Sequence, residues 1–216
     1  MSKAETIKRI RDTGVIPVVR ANTADEAMRA IDAISEGGIS VLEITMTVPG
    51  ALKLIEQVAS RYGKDALVGA GTVLDPETAT ACVSAGAQFV VSPALNVETI
   101  ECCKRLGVAI MPGALTPTEV VQAWNAGADF VKVFPAGAVG GANYLKALKA
   151  PLPHVELVPT GGVTINTAGD FIRAGAAALG VGSDLVDLNA IREGQAALIT
   201  ERAKQFINIV REARCP

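Results

Sequence analysis

A small-residue break built around glycine recurs along this chain and constrains its fold more than any other feature. These breaks have the sequences EGG at 36–38, AGA at 85–87, LG at 106–107, AGA at 126–128 and AGA at 174–176. Glycine at such a place is typical of a helix that ends on a left-handed residue. Because the middle breaks follow one another after about twenty residues, each unit has room for one helix and one short strand. The sequence therefore predicts a series of tightly packed strand–helix repeats.

Short apolar segments between the breaks are predicted to be strands, at 15–20, 40–45, 67–70, 88–92, 108–111, 129–134, 155–159 and 178–181. Helices are predicted to begin near Thr23, Pro49, Asp75, Asn96, Thr116, Gly141, Thr164 and Asn189. Capping boxes are expected at Thr23 with Glu26 and at Thr116 with Glu119. This pattern predicts an α/β fold, a (β/α)8 TIM barrel over residues 1–216 as a single domain, with an extra N-terminal helix at 3–13 that closes its floor. An open doubly wound sheet is the alternative, but the first strand is not followed by a G-x-G-x-x-G turn.

Composition and charge exclude several classes of partner. Half of the residues are hydrophobic and 19% are charged, which suits parallel strands buried on both faces. A net charge of −2 provides no field for nucleic acid or for an anionic membrane. The first residues are too polar for a secretory signal, and the uncharged run at 78–97 contains too many polar residues for a membrane helix. We therefore expect a soluble, cytoplasmic protein with no nucleic-acid or membrane partner.

The cysteines and the single histidine do not predict a metal site or a thiol nucleophile. Cys82, Cys102, Cys103 and Cys215 form no C-x-x-C pair, so reduced thiols are expected. His154 is the only histidine, so any catalytic cysteine would need it as a base. Because it lies in a proline-rich connection, no catalytic cysteine is predicted. No cluster has metal-ligand spacing, and we predict no metal.

Lys132 lies at the centre of an apolar strand. Its neighbours Phe130, Val131, Val133 and Phe134 leave that strand no polar side. An ammonium group taken out of water needs a partner or loses its proton, and enzymes use a neutral lysine amine to attack carbonyl groups. The alternative is that the side chain reaches the strand end and pairs with a carboxylate such as Asp129.

Glu43 lies in a second apolar strand. Alternation places Val41, Glu43 and Thr45 on one face, just as it places Phe130 and Lys132 on one face of theirs. If both faces point inward, Lys132 and Glu43 are neighbours. A buried ion pair kept for structure is the alternative, but such pairs contribute little stability, so a functional role is favoured.

Two glycine turns follow the last two predicted strands. Loops at these positions of a barrel commonly bind phosphate through backbone N–H groups and a helix N-terminus. Arg20 ends the first strand, where it either clamps a carboxylate or forms a surface ion pair. The residues at the predicted strand ends are Arg20, Glu43, Thr45, Thr47, Thr72, Ser92, Pro93, Pro112, Gly113, Lys132, Thr160, Gly161, Gly162, Gly182 and Ser183.

At these strand ends the chain closely resembles the class I 2-keto-3-deoxy-6-phosphogluconate (KDPG) aldolases, many of which are also 4-hydroxy-2-oxoglutarate (KHG) aldolases. The matching motifs span almost the whole chain: EITMTVP at 43–49, VGAGTV at 68–73, FVVSP at 89–93, MPG at 111–113, TPTE at 116–119, FVKVFP at 130–135 and VPTGGV at 158–163. The resemblance implies a (β/α)8 barrel, usually a homotrimer. It also implies cleavage of a small phosphorylated keto acid to pyruvate and glyceraldehyde 3-phosphate.

The resemblance also implies roles for individual residues. Lys132 would form the Schiff base, so that no cofactor is needed, and Glu43 would be the general acid and base. In part of the family an arginine that contacts the pyruvyl carboxylate stands where this chain has Thr47, and Arg20 would replace it here, as in another branch. The other implied contacts are Thr72 and Pro93 in the pyruvyl pocket, Phe134 beside the amine, and Thr160, Gly161, Gly162 and Ser183 at the phosphate.

The sequence is compatible with several alternatives. Within the aldolase interpretation, the phosphogluconate-derived, phosphogalactonate-derived and hydroxy-oxoglutarate substrates are not distinguished. Outside it, the chain would be a phosphate-binding barrel of the isomerase or epimerase kind, or a barrel that binds a phosphorylated metabolite without reaction. Neither of these two needs Lys132 as a nucleophile.

Overall fold

A computed structural model describes residues 1–215, in which strands and helices alternate. The strands are β1 (Val15–Val19), β2 (Val41–Thr45), β3 (Leu67–Gly71), β4 (Phe89–Val91), β5 (Ala109–Met111), β6 (Gly113–Ala114), β7 (Val131–Val133), β8 (Leu157–Pro159) and β9 (Leu179–Val181). The helices are α1 (Lys3–Thr13), α2 (Ala24–Glu36), α3 (Ala51–Tyr62), α4 (Pro76–Ser84), α5 (Val97–Leu106), α6 (Pro117–Ala126), α7 (Gly141–Lys149), α8 (Ile165–Arg173), α9 (Leu188–Arg192) and α10 (Ala197–Arg214), with a 3-10 turn at Ala136–Val139.

The fold is α/β with a curled parallel sheet. Neighbouring strands pair in the order β5-β4-β3-β2-β1-β9 and β6-β7-β8, and every pair is parallel. Each predicted strand coincides with one of these, whereas the two-residue β6 was not predicted. Parallel strands with both faces covered require continuous apolar segments, which is why the apolar pattern located them.

The strands separate two hydrophobic clusters. An inner cluster contains Ile16, Val41, Phe89 and Phe130, together with Ile10 from α1. An outer cluster joins the other strand faces to the surrounding helices. Because side chains alternate along a strand, Glu43 and Lys132 project to the same inner side as Val41 and Phe130.

The predicted glycine breaks are confirmed as left-handed helix ends. The residue with positive φ is glycine at each of them, from +70° at Gly107 to +106° at Gly86. Side chains with a Cβ rarely adopt this conformation, so glycine lets each helix turn directly into the next strand.

The α3 helix begins at Ala51, within two residues of its predicted start near Pro49 and after Gly50 with a φ of +73°. One local prediction at a helix start differs from the structure. At Thr23 the capping box is incomplete. The Thr23 hydroxyl accepts the N–H of Glu26, but the Glu26 carboxylate accepts the N–H of Asn22 and pairs with Arg192 at 2.7 Å. The capping box of Thr116 with Glu119 is present as predicted.

The C-terminal region forms two helices instead of the single helix predicted from Asn189. The short α9 ends at Arg192, and Gly194, with a φ of +73°, lies before α10 begins at Ala197. α10 packs on α8 and α2. None of the described helices combines the length and apolar character that crossing a lipid bilayer requires.

Candidate active site

Lys132 lies at the centre of β7, where it pairs with Gly113 on one side and Val158 on the other. Lys132 is only 6% exposed. Within residues 1–215 its amine donates no hydrogen bond, and the ring of Phe134 lies 5.3 Å from Nζ. The alternative pairing with Asp129 is wrong, because Asp129 pairs with Lys3 at 3.0 Å and accepts the N–H of Ile110.

Glu43 lies across the interior from Lys132. The two strands are not neighbours in the sheet, but Lys132 Nζ and Glu43 Oε1 are 4.0 Å apart. This distance is too long for a hydrogen bond. Glu43 is 2% exposed, and in the described part of the chain its Oε1 has no hydrogen-bond partner. The predicted adjacency of these two side chains is therefore confirmed, without the close geometry of a structural ion pair.

Burial raises the pKa of the Glu43 carboxyl above its ordinary value. The positive charges of Lys132 and Arg20 oppose this shift but do not cancel it. Desolvation penalises the charged form, and here it outweighs the attraction of the two cations. Glu43 therefore holds its proton to a higher pH than an exposed glutamate does, as a group that both gives and takes protons requires.

Gly71 provides the space for the Glu43 carboxylate. It ends β3 beside Thr45, and a Cβ on Gly71 would overlap Glu43 Oε1 and lie 2.7 Å from Cδ. The sequence analysis missed this residue. The available signal was a glycine inside an apolar strand, which commonly marks a close approach of another group.

Thr72 and Pro93 follow the ends of β3 and β4. Thr72 has a φ of +59°, the only positive φ outside glycine in the described residues. A β-branched residue in this region is strained, and such strain persists only where the surrounding structure enforces it. The Pro93 carbonyl lies against Gly113, the residue that pairs with Lys132.

A pocket of about 730 Å³ opens near Lys132 and Glu43. Its lining includes Phe134, whose ring lies 5.3 Å from Lys132 Nζ, and Arg20, whose charge acts on Glu43. It is also lined by Thr160, Gly161, Gly162, Gly182 and Ser183, all predicted from the sequence, and by Asp184, Asp187, Arg192 and Arg202, which were not. Within residues 1–215, the lining of this pocket does not include five of the predicted site residues: Lys132, Glu43, Thr47, Thr72 and Pro93.

The turn after β8 presents free backbone donors to the pocket. Gly161 and Gly162 have φ values of +83° and +77°. In the part of the chain that the structure describes, the N–H groups of Gly161, Gly162 and Val163 donate no hydrogen bond. Gly137 supports the turn from behind, since its N–H donates to the Gly161 carbonyl at 2.9 Å. Successive free N–H groups in such a turn form a concave site for an anion.

The start of α8 contributes less to this site than the sequence suggested. The N–H of Ile165 donates to Asp184 Oδ2 at 2.9 Å, and the N–H of Thr164 donates to the Thr167 hydroxyl at 2.9 Å. These two helix N-terminal donors are already used within the protein. The expected anion site therefore depends on the glycine turn rather than on them.

Arg20 and Thr47 differ in their access to the pocket. Arg20 is exposed, lines the pocket, and makes no ion pair with any residue the structure describes. Its charge reaches Glu43, whose pKa it lowers. Thr47 is exposed as well, but its hydroxyl lies 2.7 Å from the Thr45 hydroxyl. Arg20 is charged and lines the pocket, whereas neither is true of Thr47, so Arg20 is the residue available to bind a carboxylate there.

The cysteines lie away from this chemistry. All four are unpaired, and burial raises the pKa of Cys82 to about 11 and that of Cys103 to about 12. Thiols with such values carry little thiolate at neutral pH. In residues 1–215 no group of three or more His, Cys, Asp or Glu side chains could hold a metal ion.

Comparison with known proteins gives a consistent result over nearly the whole chain. A family model described as KDPG and KHG aldolase matches residues 6–202. The 2-dehydro-3-deoxy-6-phosphogalactonate aldolase of Escherichia coli (strain K12) is 38% identical over 201 residues, covering 92% of this chain and 95% of that protein. The 2-dehydro-3-deoxy-phosphogluconate aldolase of Treponema pallidum (strain Nichols) is 35% identical over 206 residues, covering 95% and 96%.

Among solved structures, a KDPG aldolase from Legionella pneumophila superposes with a TM-score of 0.84 at 32% identity. The match covers 92% of this chain and 96% of that one. That crystal structure contains pyruvate captured at low pH as a covalent carbinolamine intermediate.

Proposed function

The chain belongs to the KDPG and KHG aldolase family, and from this premise we propose that it cleaves 2-dehydro-3-deoxy-6-phosphogluconate to pyruvate and glyceraldehyde 3-phosphate through a Schiff base on Lys132. The observation that carries this proposal is the buried Lys132 amine, 4.0 Å from a buried glutamate and without a hydrogen bond to the described residues. A lysine kept for structure would be paired more closely, because an uncompensated buried charge is costly.

In the proposed reaction the neutral Lys132 amine attacks the C2 ketone of the substrate and forms a carbinolamine. Glu43 gives a proton to the departing hydroxyl, so that water leaves and a protonated imine remains. The 4.0 Å between Nζ and Oε1 is compatible with this step, since an oxygen on the carbon bound to Nζ comes within hydrogen-bond range of Glu43.

Carbon–carbon cleavage follows from the charge of the imine. Glu43, now a carboxylate, removes the proton of the C4 hydroxyl, either directly or through a water. The C3–C4 bond then breaks, its electrons move into the imine, and the aldehyde is released. The resulting enamine takes a proton at C3 from Glu43, and water releases pyruvate. The iminium serves as the electron sink, so the step needs no metal or external cofactor.

The two ends of the substrate are proposed to bind at opposite sides of the pocket. Arg20 takes the carboxylate next to the ketone, with Thr72 and Pro93 around the pyruvyl part. The phosphate binds the free N–H groups of the 161–163 turn and the Ser183 hydroxyl, with Thr160 and Gly182 supporting these turns. Holding both ends fixes the C3–C4 bond over the imine.

A second substrate, 2-dehydro-3-deoxy-6-phosphogalactonate, is favoured by one specific observation. The Escherichia coli phosphogalactonate aldolase is 38% identical to this chain, whereas the phosphogluconate aldolase of Treponema pallidum is 35% identical. The two substrates differ in configuration at a hydroxyl-bearing carbon, which the same lysine and glutamate can serve. We also propose activity on 4-hydroxy-2-oxoglutarate, which has a carboxylate in place of the phosphorylated end.

We further propose that the curled sheet closes into a single (β/α)8 barrel with α1 across its floor. Only Pro112 separates β5 from β6, a parallel bridge joins Thr160 to Gly180 between β8 and β9, and Ile10 of α1 is fully buried in the inner cluster.

For the assembly we propose a homotrimer in the cytoplasm. The trimer is supported by two exposed apolar side chains, Leu74 and Val97, which lie close together because Asn96 Nδ2 donates to the Leu74 carbonyl. The cytoplasmic location is supported by the buried cysteines, which form no disulfide.

Trapping with pyruvate and borohydride tests the proposal. Reduction of the imine should inactivate the enzyme and leave a stable adduct on the peptide that contains Lys132, as seen by mass spectrometry. The Lys132→Met variant should give no adduct, while Lys146→Met, which removes an exposed lysine of α7, should react like the parent protein. An adduct on another lysine, or none on the parent protein, would contradict the Schiff-base assignment. Turnover of the two phosphorylated epimers, measured side by side, then identifies the substrate.

A further inference from the structure

The pocket contains an acidic side chain where an anion is proposed to bind. Asp184 follows Ser183 in the turn after β9 and lines the pocket together with Gly161 and Gly162. A carboxylate beside a phosphate repels it, so this residue opposes binding unless its charge is used elsewhere. The aldolase mechanism gives it no role.

The Asp184 carboxylate joins the two turns of the pocket. Its Oδ2 accepts the N–H of Ile165 at 2.9 Å, and Ile165 begins α8 directly after the turn that contains Gly161 and Gly162. A carboxylate at the first turn of a helix also meets the positive end of the helix dipole. The charge of Asp184 is thus satisfied by the start of α8 rather than by the free N–H groups of the turn.

The backbone of Asp184 is held from the opposite side by Arg202. Arg202 lies on α10, and its Nη1 donates to the Asp184 carbonyl at 2.6 Å. Within the turn itself, the N–H groups of Leu185 and Val186 both donate to the Gly182 carbonyl, at 3.0 and 2.9 Å. Ser183 is therefore part of a turn that two separate helices, α8 and α10, and its own internal hydrogen bonds fix in place.

We propose that Asp184 and Arg202 are positioning residues that set the separation between the two turns of the phosphate site. Gly137 supports the 161–162 turn from one side, where its Cα lies so close that a Cβ on Gly162 would approach it to 2.7 Å. Asp184 and Arg202 fix the Ser183 turn from the other side. Two turns held at a constant distance bind a phosphate without first being ordered, which preserves affinity for that end of the substrate. This inference rests on the proposed function of the same site.

The test compares two substrates of the same enzyme, one with a phosphate and one without. In Asp184→Ala the KM for the phosphorylated keto acid should rise about tenfold, because the turns lose their link, with little change in kcat. The ratio of kcat/KM for the phosphorylated substrate to that for 4-hydroxy-2-oxoglutarate should fall by the same factor. Asp184→Asn keeps an oxygen that accepts the Ile165 N–H, and its ratio should stay within about twofold of the parent value.

Asp187→Ala is the matched control. It removes a carboxylate from the same pocket, but in the described residues Asp187 accepts hydrogen bonds only from the N–H groups of Asn189 and Ala190, where it caps α9, and from neither phosphate turn. Its ratio should stay near that of the parent. Should Asp184→Ala fail to fold, Arg202→Gln loosens the same turn from the α10 side and is expected to shift the ratio in the same direction.

An equal loss on both substrates, or no loss on either, would overturn the positioning role. The parent enzyme is measured first, so that absence of turnover on the phosphorylated substrate counts against the proposed function alone. In that case calorimetric titration with inorganic phosphate tests the inference by itself. Weaker binding by Asp184→Ala and unchanged binding by Asp187→Ala would support it, and equal binding by both would reject it.

Discussion

Lys132 Nζ and Glu43 Oε1 lie 4.0 Å apart across the interior of the sheet, on strands that are not hydrogen-bonded neighbours. Only a curled sheet brings β2 and β7 face to face in this way. Neither atom makes a hydrogen bond within residues 1–215, although both side chains are buried. Burial without close pairing is a poor arrangement for stability and a good one for chemistry, because both groups remain available to a third molecule.

Glu43→Gln should separate imine formation from turnover. Glutamine fills the same space but cannot transfer a proton, so kcat should fall about 10²- to 10⁴-fold. Much of the pyruvate adduct on Lys132 should still form, but more slowly than in the parent, because amine attack does not require Glu43 and water can supply the proton for dehydration during a long incubation. Steady-state kinetics and borohydride trapping on the same preparation measure both effects.

Glu119→Gln is the control for this variant, since Glu119 caps α6 through the N–H groups of Leu115 and Thr116. It should leave kcat unchanged. Full turnover in Glu43→Gln would remove Glu43 from the proton-transfer steps.

The rate of the parent enzyme should decline at acidic pH at a value above that of an ordinary glutamate. Cleavage needs the ionised form of Glu43 to accept the C4 hydroxyl proton, and burial raises the pKa of this carboxyl above 4.5. As the pH falls through the raised pKa of the free enzyme, Glu43 becomes protonated and kcat/KM falls. Arg20 opposes the shift, so Arg20→Met should move this acidic limb to a still higher pH.

A profile of kcat/KM against pH on the parent and Arg20→Met checks both statements. A limb at or below 4.5 in the parent would contradict the role of a desolvated Glu43 as the base.

Arg20 is expected to hold the carboxylate next to the reacting ketone. Arg20→Lys keeps the charge but loses the planar pair of donors, so the pyruvate concentration for half-maximal borohydride inactivation should rise about tenfold. Arg61→Lys is the control, because Arg61 pairs with Asp32, outside this pocket. If the pyruvate concentration for half-maximal inactivation is unchanged in Arg20→Lys, a group other than Arg20 binds the carboxylate.

Much of the site follows from the sequence because it depends on strand position and alternation. The apolar segments around Glu43 and Lys132 located two strands, and a period of two residues placed both side chains on the inner face. Glycine located the ends of the helices, because a helix that ends on a left-handed residue depends only on the backbone at that position. These features need no knowledge of which elements come together.

The features that the sequence did not reveal depend on contacts between distant segments. The Asp184 link to α8 and Arg202 joins parts of the chain that only the fold brings together. Glu26 fits a capping box by its spacing, but Arg192 from α9 draws its carboxylate away. The tertiary contact determines which partner a polar group chooses, and a local pattern cannot show it.

Gly71 provides the sharpest test of how the Glu43 carboxylate is placed. A Cβ at this position would overlap Oε1, so Gly71→Ala should push the carboxylate away from Lys132 and lower kcat about 10²-fold. Gly69→Ala is the matched control: it adds the same methyl group two residues earlier on β3, where it meets the Phe89 ring instead.

Both variants should lose about 1–3 kcal/mol in the free energy of unfolding, measured with urea, because each adds a group to a filled interior. Only Gly71→Ala should also lose turnover while the Lys132 adduct still forms. A displaced Glu43 slows the proton-transfer steps, whereas attack by the Lys132 amine stays intact. An equal loss of kcat in the two variants would mean that general disruption of β3, rather than displacement of Glu43, explains the effect.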